Sequence, residues 1–330
     1  MKILVAGPEQ QYAVYRPDFA DELPVELVFR RKEQTLLEAA GENRDAEILF
    51  VDAVTRVDGD VMNLLPGLKM IQMVGVAHNL VDGQAARERG IYLCNNKACN
   101  ADSVAEHAIM LMLMALRSGV TGHQAVVEGR QFQTKLDIIA AGRPGLFQCS
   151  VGLIGFGDIA QATARRLAAF GCELYYYTAH RRPPEVEADF GMTYLPLEEL
   201  IEKSDIISLH CAVNERTLGM VNEDFLAKMK KGGVLVNCGR GALVDNEALR
   251  DALIKGTIGC AALDTIEPEP TPMDHPLVDL PDEVRSRVVY SPHLGGSSSG
   301  AFIKAHRTMW QNARRIIAGE RPVYVVNGLE

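Results

Sequence analysis

The chain has 330 residues, of which 47% are hydrophobic and 23% charged, a composition typical of a globular protein long enough for two domains. Its formal net charge of −9 at pH 7 argues against nucleic acid or an anionic membrane as the main partner, because both attract basic surfaces. The most apolar run, Ala108 to Leu116, is too short to span a bilayer. Seven scattered cysteines favour free thiols in the cytoplasm over a disulfide framework or a metal site.

The first hundred residues alternate between strand and helix patterns. Short apolar runs predict buried strands, and the first of them, KILVAG, is too short to be the core of a signal peptide. The later strand runs are VELVFR, AEILFVDA, LKMIQMVGVA and IYLCNN. Helical spacing in EQTLLEAAGENRDA and VDGQAARERG separates some of them. This repeated β-α-β order predicts a parallel sheet with helices on both faces.

A long helix follows at about 102–118. It is apolar almost all round, which predicts a buried helix between two domains, and His107 on it is interpreted as a hydrogen-bonded structural residue. The next segment, EGRQFQTKLDIIAAGRPGLFQCS, has no clear period and is expected to form an exposed arm or loop.

From Val151 the alternation starts again. Strands are predicted at 151–154, 173–177, 205–210, 233–237, 259–263 and 287–290, with a helix at 157–170. An amphipathic helix near 299–318 and a strand at VYVVN then end the chain, and His306 on that helix is expected at the surface. Because these last elements follow a complete sheet, we expect residues 297–330 to join residues 1–100 in one domain, with residues 101–296 forming the other.

Glycines concentrate directly after the first strand of the second half. Gly155-Phe-Gly157-Asp-Ile-Ala160 has the form G-x-G-x-x-A between a strand and a helix, which is the context of the dinucleotide-binding turn. In that turn one glycine permits the bend and another lets the backbone approach a pyrophosphate at the helix N-terminus. A purely structural turn is the alternative. We favour a Rossmann-type cofactor site.

The end of the next strand indicates which cofactor is preferred. Thr178 occupies the position where an acidic residue would bind the ribose diol of NAD, and His180, Arg181 and Arg182 follow it. Guanidinium groups bind a 2′-phosphate, whereas a carboxylate repels one. The sequence therefore favours NADP(H) over NAD(H), with a solvated basic turn as the alternative.

Three further motifs place polar side chains after predicted strands. Arg240 lies between two glycines in NCGRGALVD, Glu269 lies in ALDTIEPEP, and His293 lies in SPHLGG. The carboxyl ends of parallel strands share one edge of the sheet, where ligands bind in open α/β folds. Reduction of a 2-keto acid needs a cation for the carboxylate, which suits Arg, and a proton donor, which suits His held by a carboxylate.

These motifs, in this order and spacing, resemble those of the D-isomer-specific 2-hydroxyacid dehydrogenases along nearly the whole chain. The resemblance implies that Arg240 binds the substrate carboxylate, that His293 is the acid/base and that Glu269 is its partner. It also implies an α/β fold of two doubly wound parallel-sheet domains, with the Rossmann domain inserted into a flavodoxin-like substrate domain, and a homodimer.

The same likeness assigns further contacts. In MVGVAHNLVD, backbone amides at Gly75, Val76 and Ala77 would hold the substrate, together with Arg240 and His293; here Ala77 replaces a usual glycine. The residues implied to contact the cofactor are Gly155, Gly157, Asp158, Ile159, Thr178, Arg181, Arg182, Cys211, Ala212, Thr217, Cys238, Gly239, Arg240, Asp264, His293 and Gly295.

The function that these features favour is hydride transfer between NADP(H) and a small D-2-hydroxy acid or 2-keto acid, as in a glyoxylate or hydroxypyruvate reductase. A formate dehydrogenase is disfavoured because Glu269 is a carboxylate where an amide would be required, while phosphite oxidation stays open. The alternative of another class is a non-catalytic NAD(P)-sensing protein on the same fold, similar to corepressors of this family.

Overall fold

A computed structural model describes residues 1–330 and separates them into two compact units. The first unit comprises Met1–Asn100 and Ser297–Glu330, and the second comprises Ala101–Gly296. In sequence, the second unit therefore lies between two segments of the first.

The first unit contains a parallel sheet of five strands. The strands are β1 (Lys2–Val5), β2 (Glu26–Phe29), β3 (Ala46–Val51), β4 (Met70–Met73) and β5 (Tyr92–Cys94). The helices between them are α1 (Glu9–Tyr15), α2 (Leu36–Glu42), α3 (Gly59–Leu64) and α4 (Gly83–Glu88). The strand order β2-β1-β3-β4-β5 is the flavodoxin-like order, so the predicted architecture of this unit is confirmed.

The second unit opens with three helices, α5 (Ala101–Leu116), α6 (Gly119–Val127) and α7 (Gln131–Ala140). The expectation of an irregular segment after residue 127 is wrong where α7 forms. Its apolar residues Phe132, Leu136 and Ile139 recur at helical spacing but are exposed, and Thr134 is its only buried residue. No single helix is long and apolar enough to cross a membrane. The pair α5 and α6 meets that test only when the two are taken together, and the chain bends by 63° between them.

The second unit then builds a parallel sheet of seven strands. The strands are β6 (Ser150–Ile154), β7 (Glu173–Tyr177), β8 (Met192–Tyr194), β9 (Ile206–Leu209), β10 (Val234–Asn237), β11 (Cys260–Leu263) and β12 (Val288–Tyr290). The helices are α8 (Asp158–Phe170), α9 (Pro184–Phe190), α10 (Leu197–Lys203), α11 (Glu223–Lys228), α12 (Asn246–Lys255) and α13 (Asp282–Arg285). The sheet order is β12-β11-β10-β9-β6-β7-β8, the Rossmann order with one added strand.

The central strands β6, β9, β10 and β11 of the second sheet are buried on both faces, as their largely apolar sequences predict. One apolar core lies between the sheet and helices α5 and α8, and a second lies between the sheet and helices α10, α11 and α12. The predicted fold class is thus confirmed for this unit as well. Its strand order reverses between β6 and β9, which is the point where open α/β sheets bind ligands.

The chain returns to the first unit with helix α14 (Ser299–Ile317), which the Ser298 hydroxyl caps by accepting from the Ala301 N–H. The predicted strand at VYVVN is wrong, because only an isolated bridge forms there, between Val325 and Cys94. Tyr324 has a φ of +57°, which interrupts an extended backbone, and the Asn312 side chain bonds both the N–H and the carbonyl of Val323.

His306 on α14 is fully buried, at 0% exposure, and the expectation that it lies at the surface is wrong. It sits on the apolar face of the helix, where its ring packs 4.8 Å from that of Tyr12 and 5.8 Å from that of Tyr15. Neither ring nitrogen forms a hydrogen bond. Burial lowers the pKa of His306 from 6.5 to about 4, because the charged form would lose its hydration.

This burial predicts acid lability of the protein. Above pH 6.5 the imidazole is neutral in both the folded and the unfolded chain, but below it the unfolded chain binds a proton that the folded chain excludes. Stability is therefore lost as the pH falls from 6.5 towards 4. Between pH 7 and pH 5, we expect the unfolding free energy of the wild type to fall by about 2 kcal/mol more than that of His306→Phe. Urea unfolding at both pH values measures this difference, and equal losses in the two proteins would contradict it.

Candidate active site

The glycine-rich turn after β6 lies at the point where the strand order reverses. Gly155 has a φ of +96°, and a Cβ at this residue would lie 2.6 Å from the carbonyl oxygen of His210, which follows the neighbouring strand β9. Both the conformation and the close approach require glycine. The turn therefore brings the backbone after β6 directly against the backbone after β9.

Helix α8 begins directly after this turn, with Gly157 as its N-cap and Asp158 and Ile159 as its first residues. No side chain caps this end of the helix, and a Cβ at Gly157 would meet no atom within 4 Å. The first N–H groups of the helix thus face open space at the positive end of its dipole. These features fit a nucleotide pyrophosphate, which needs close backbone approach and free N–H donors.

A cleft of about 780 Å³ extends from this turn along the carboxyl ends of β6, β7 and β9. The Thr217 hydroxyl shapes one wall by donating to the carbonyl of Ala212 (2.7 Å) and accepting from the N–H of Asn214 (2.8 Å). The predicted cofactor residues that line the cleft are Gly155, Gly157, Thr178, Arg182, Cys211, Ala212 and Thr217.

The sequence reasoning missed other residues of this cleft. Arg216, like Arg182, lines the cleft with a guanidinium, and Glu215 adds a carboxylate. His210 was not missed: it ends the predicted strand 205–210 and lines the cleft. It hydrogen-bonds the Ser208 hydroxyl at 2.9 Å, and burial lowers its pKa to about 4, so it is neutral at pH 7. The loop after β9 carried no motif that would have identified Arg216.

The two arginines after β7 differ in their surroundings. Arg181 donates to both carboxylate oxygens of Glu187 (2.7 and 2.8 Å) and lies over the ring of Tyr194, and it does not line the cleft. This pair lowers the pKa of Glu187 to about 2. Arg182 instead donates to the carbonyl of Phe156 (3.1 Å) in the glycine turn. Of the two guanidinium groups, only that of Arg182 is therefore directed to the glycine turn.

A histidine and a carboxylate meet at the same edge of the sheet. His293 Nδ1 lies 2.7 Å from Glu269 Oε2, and both side chains are partly exposed, at 46% and 40%. An ionised carboxylate only accepts hydrogen bonds, so Nδ1 carries the shared proton and Nε2 is left for other partners. The structure thus brings together two residues that lie 24 positions apart in the sequence.

The loop that carries Glu269 is held at the backbone of Glu267. Asn246 Nδ2 donates to the Glu267 carbonyl at 2.8 Å, and His275 Nε2 contacts the same oxygen at 3.1 Å. A Cβ at Gly241 would lie 2.2 Å from the Glu267 nitrogen, so this loop packs directly on the glycine beside Arg240. Neither Asn246 nor His275 was identified from the sequence as a support of the site, because their partner is a backbone atom.

Arg240 follows β10 in an extended conformation. The Asn237 side chain fixes the turn by donating to the Arg240 carbonyl (2.9 Å) and accepting from the Gly239 N–H (3.0 Å). The Arg240 guanidinium contacts the Gly239 carbonyl and no carboxylate, which leaves it able to bind an anion. Cys238, two residues before Arg240, is buried, and burial raises the pKa of its thiol well above its usual value.

Asp264 after β11 is 2% exposed, and its carboxylate lies under the loop of His293. One oxygen accepts from the N–H of Leu294 (2.8 Å) and the other from the N–H of Gly295 (2.9 Å). The family resemblance implied that Asp264 contacts the cofactor. In the structure both oxygens are occupied by backbone donors of the residues that follow His293.

The predicted substrate loop follows β4 in the first unit. Asn95 Nδ2 donates to the Val76 carbonyl (2.9 Å), and the Asn96 N–H donates to the Gly75 carbonyl (3.0 Å), so the loop's carbonyls are occupied. The N–H groups of Gly75, Val76 and Ala77 donate to no acceptor within the chain. Successive free N–H groups of this kind form an anion-binding concavity, which fits a carboxylate.

Comparison with known proteins identifies the family. The family model for "D-isomer specific 2-hydroxyacid dehydrogenase, NAD binding domain" matches residues 109–295. The chain belongs to the D-isomer-specific 2-hydroxyacid dehydrogenases. As a member, it is a 2-hydroxyacid oxidoreductase with a nicotinamide-cofactor domain, and the resemblance seen in its motifs is confirmed.

Similar proteins cover most of the chain. It is 34% identical over 284 residues to a glyoxylate reductase of Thermofilum pendens, which covers 86% of this chain and 82% of that protein. It is 32% identical over 307 residues to a hydroxypyruvate reductase of Thermotoga maritima, with coverages of 88% and 94%. The apo-structure of D-lactate dehydrogenase from Escherichia coli matches with a TM-score of 0.79 and 26% identity, over 98% of this chain and 99% of that one.

Proposed function

We propose that this dehydrogenase reduces a small 2-keto acid of the glyoxylate or hydroxypyruvate type to the 2-hydroxy acid, with the D configuration where C2 becomes a stereocentre, and prefers NADPH. The observation that carries the proposal is the 2.7 Å contact between His293 and Glu269 at the sheet edge where Arg240 also lies. The glyoxylate reductase and hydroxypyruvate reductase similar to this chain support the substrate class.

The roles of the side chains follow from their chemistry. Reduced nicotinamide, when bound, supplies the hydride that goes to C2 of the keto acid. Arg240 binds the substrate carboxylate with its planar fork and polarises the carbonyl beside it. His293 gives a proton from Nε2 to the developing alkoxide, because Nδ1 is engaged by Glu269. Hydride and proton together convert the carbonyl to the hydroxyl.

A steady-state screen tests this function. NADPH oxidation is followed at 340 nm with glyoxylate, hydroxypyruvate and pyruvate, and each is repeated with NADH. We expect turnover with at least one of the first two and a higher kcat/KM with NADPH. Tight NADPH binding without turnover of any keto acid would instead support the NAD(P)-sensing alternative, and reduction of NADP⁺ by phosphite would support phosphite oxidation.

The NADPH preference rests on the turn after β7, where Thr178 and Arg182 line the cleft and no acidic residue occupies the position of Thr178. We expect Arg182→Ala to raise the Kd for NADPH at least about tenfold and the Kd for NADH less than about twofold, because a charge-assisted pair to the 2′-phosphate contributes about 1.5–3 kcal/mol. Fluorescence titration of each reduced cofactor measures both constants.

Arg181→Ala is the matched control for this prediction. Because its guanidinium is engaged by Glu187, we expect a smaller loss of NADPH affinity than in Arg182→Ala. Equal weakening of NADPH and NADH binding by Arg182→Ala would contradict the assignment of the 2′-phosphate to this residue. A larger effect of Arg181→Ala would move that role to Arg181.

Two further features extend the proposal. Helices α6 and α7 expose large apolar side chains, among them Val127, Phe132 and Ile139 at 69%, 73% and 63% exposure, and a second copy of this chain would cover them. We propose a homodimer through this face, which light scattering would report as twice the mass of one chain; a mass of one chain would exclude it.

The seven free thiols support a location in the cytoplasm.

A further inference from the structure

His107 on helix α5 contacts the carboxylate that lies under the His293 loop. Its Nε2 is 3.1 Å from Asp264 Oδ1 and 2.9 Å from the Ser291 hydroxyl, and its side chain is largely buried. Nε2 thus hydrogen-bonds the segment that leads to His293, and it lies beside a carboxylate that comes from a strand far away in sequence.

Asp264 ties the backbone after β12 at three successive residues. Its carbonyl accepts from the N–H of His293 at 2.9 Å, and its two carboxylate oxygens accept from the N–H groups of Leu294 and Gly295 at 2.8 and 2.9 Å. A Cβ at Gly295 would lie 2.8 Å from Asp264 Oδ2, so only glycine allows this approach. The position of the Asp264 carboxylate thus sets the path of residues 293–295.

The backbone of His293 needs such support. Its φ is +53°, a left-handed conformation that residues other than glycine seldom adopt and that persists where neighbouring contacts enforce it. The hydrogen bonds to Asp264 supply these contacts. His107 Nε2 lies 3.1 Å from the same carboxylate and hydrogen-bonds the Ser291 hydroxyl, two residues before His293, so it packs against both ends of this support.

We propose that His107 is a positioning residue for His293 and acts through Asp264. By fixing the carboxylate, it holds the loop in the conformation that presents the His293 imidazole to Glu269 and to the substrate. The catalytic consequence rests on the proposed function, whereas the effect on the loop does not. A catalytic group displaced by about 1 Å loses up to about a hundredfold in rate. A residue that touches neither substrate nor cofactor therefore has a measurable effect on kcat when it holds the catalytic group in place.

Two substitutions at His107 test the proposal. His107→Gln keeps a donor near the place of Nε2, whereas His107→Leu removes it. In the full-length protein without added cofactor, hydrogen–deuterium exchange is followed in peptides that cover residues 293–296. We expect exchange there to rise about tenfold in His107→Leu and to stay near the wild-type rate in His107→Gln, because these amides donate to the carboxylate that His107 fixes.

The kinetic arm uses NADPH and glyoxylate. We expect His107→Leu to lower kcat about tenfold or more while the KM for glyoxylate stays within about threefold, and His107→Gln to retain most of kcat. Leu111→Ala is the control on the same helix, because it removes a buried core side chain and leaves His107 in place. It should lower the melting temperature without raising exchange selectively in residues 293–296.

Several outcomes would overturn the proposal. Unchanged exchange at residues 293–296 in a folded His107→Leu protein would do so, and so would equal loss of kcat in the Gln and Leu variants. If His107→Leu does not fold, Ser291→Ala removes the other partner of Nε2 and should raise the same local exchange more weakly; no change there would also count against the proposal. If no keto acid is reduced by the wild type, the proposed function fails, while the exchange experiment still decides whether His107 holds the loop.

Discussion

His293→Ala is expected to lower kcat for 2-keto acid reduction by about two to four orders of magnitude, the usual contribution of a positioned general acid. The alkoxide that forms at C2 would have to take its proton from water, because His293 is the proton donor that Glu269 holds in place. The variant should keep its affinity for NADPH, since the glycine turn and the cleft along β6, β7 and β9 are unchanged. Stopped-flow turnover and fluorescence titration of NADPH measure the two quantities separately.

Glu269→Gln provides a graded comparison for this result. An amide oxygen still accepts from Nδ1, but it carries no charge to favour the imidazolium, so a smaller loss of kcat, about tenfold to a hundredfold, is expected. His123→Ala, an exposed histidine on α6, controls for loss of an imidazole elsewhere. Near-normal turnover in His293→Ala would remove this residue from catalysis. Loss of NADPH binding in parallel with kcat would assign it to the cofactor instead.

Local backbone chemistry explains why much of the fold could be predicted from the sequence. The buried strands are short apolar runs between turn signals, and Gly155 marks a turn that no residue with a Cβ could form, at a φ of +96° and 2.6 Å from a facing carbonyl. Because each such feature depends on a few neighbouring residues, the pattern identifies both the element and its place in a doubly wound sheet.

The parts that could not be predicted depend on partners far away in sequence or on backbone atoms. His306 has the sequence neighbours of a surface residue, but the packing of α14 buries its ring against Tyr12. The contact of His107 with Asp264 joins helix α5 to the end of strand β11. Helix α7 has Phe132, Leu136 and Ile139 at helical spacing, but these side chains are exposed and only Thr134 is buried, so the helix packs no apolar face onto this chain. In each case the missing information is tertiary.

Some of the site could be anticipated because chemistry restricts the residue types. A carboxylate, an imidazole and a guanidinium that each follow a strand of one parallel sheet must emerge at the same edge, and the contact of His293 with Glu269 agrees with this argument. Arg181 illustrates the limit of such reasoning. Its charge fits a phosphate as well as that of Arg182 does, and only the position of Glu187 in three dimensions shows that its guanidinium is already engaged.

Arg240→Lys is expected to lower kcat/KM for the keto acid by about a hundredfold, although the positive charge is kept. A guanidinium offers two parallel N–H donors to a carboxylate, whereas an ammonium is a point charge, and each hydrogen bond to a charged group contributes about 1.5–3 kcal/mol. Because the same fork binds the carboxylate and polarises the carbonyl, both KM and kcat should change. Steady-state kinetics with NADPH at saturation measures both.

Three comparisons make this prediction specific. Arg250→Lys on the exposed side of α12 is the matched control and should leave kcat/KM unchanged. The methyl ester of the keto acid lacks the carboxylate, so Arg240→Lys should lower its much slower reduction far less than that of the free acid. Added guanidinium ions should partly restore the rate of Arg240→Ala, while ammonium ions should not, because only guanidinium reproduces the planar fork. Equal losses with acid and ester would show that Arg240 supports the fold of the site rather than the substrate carboxylate.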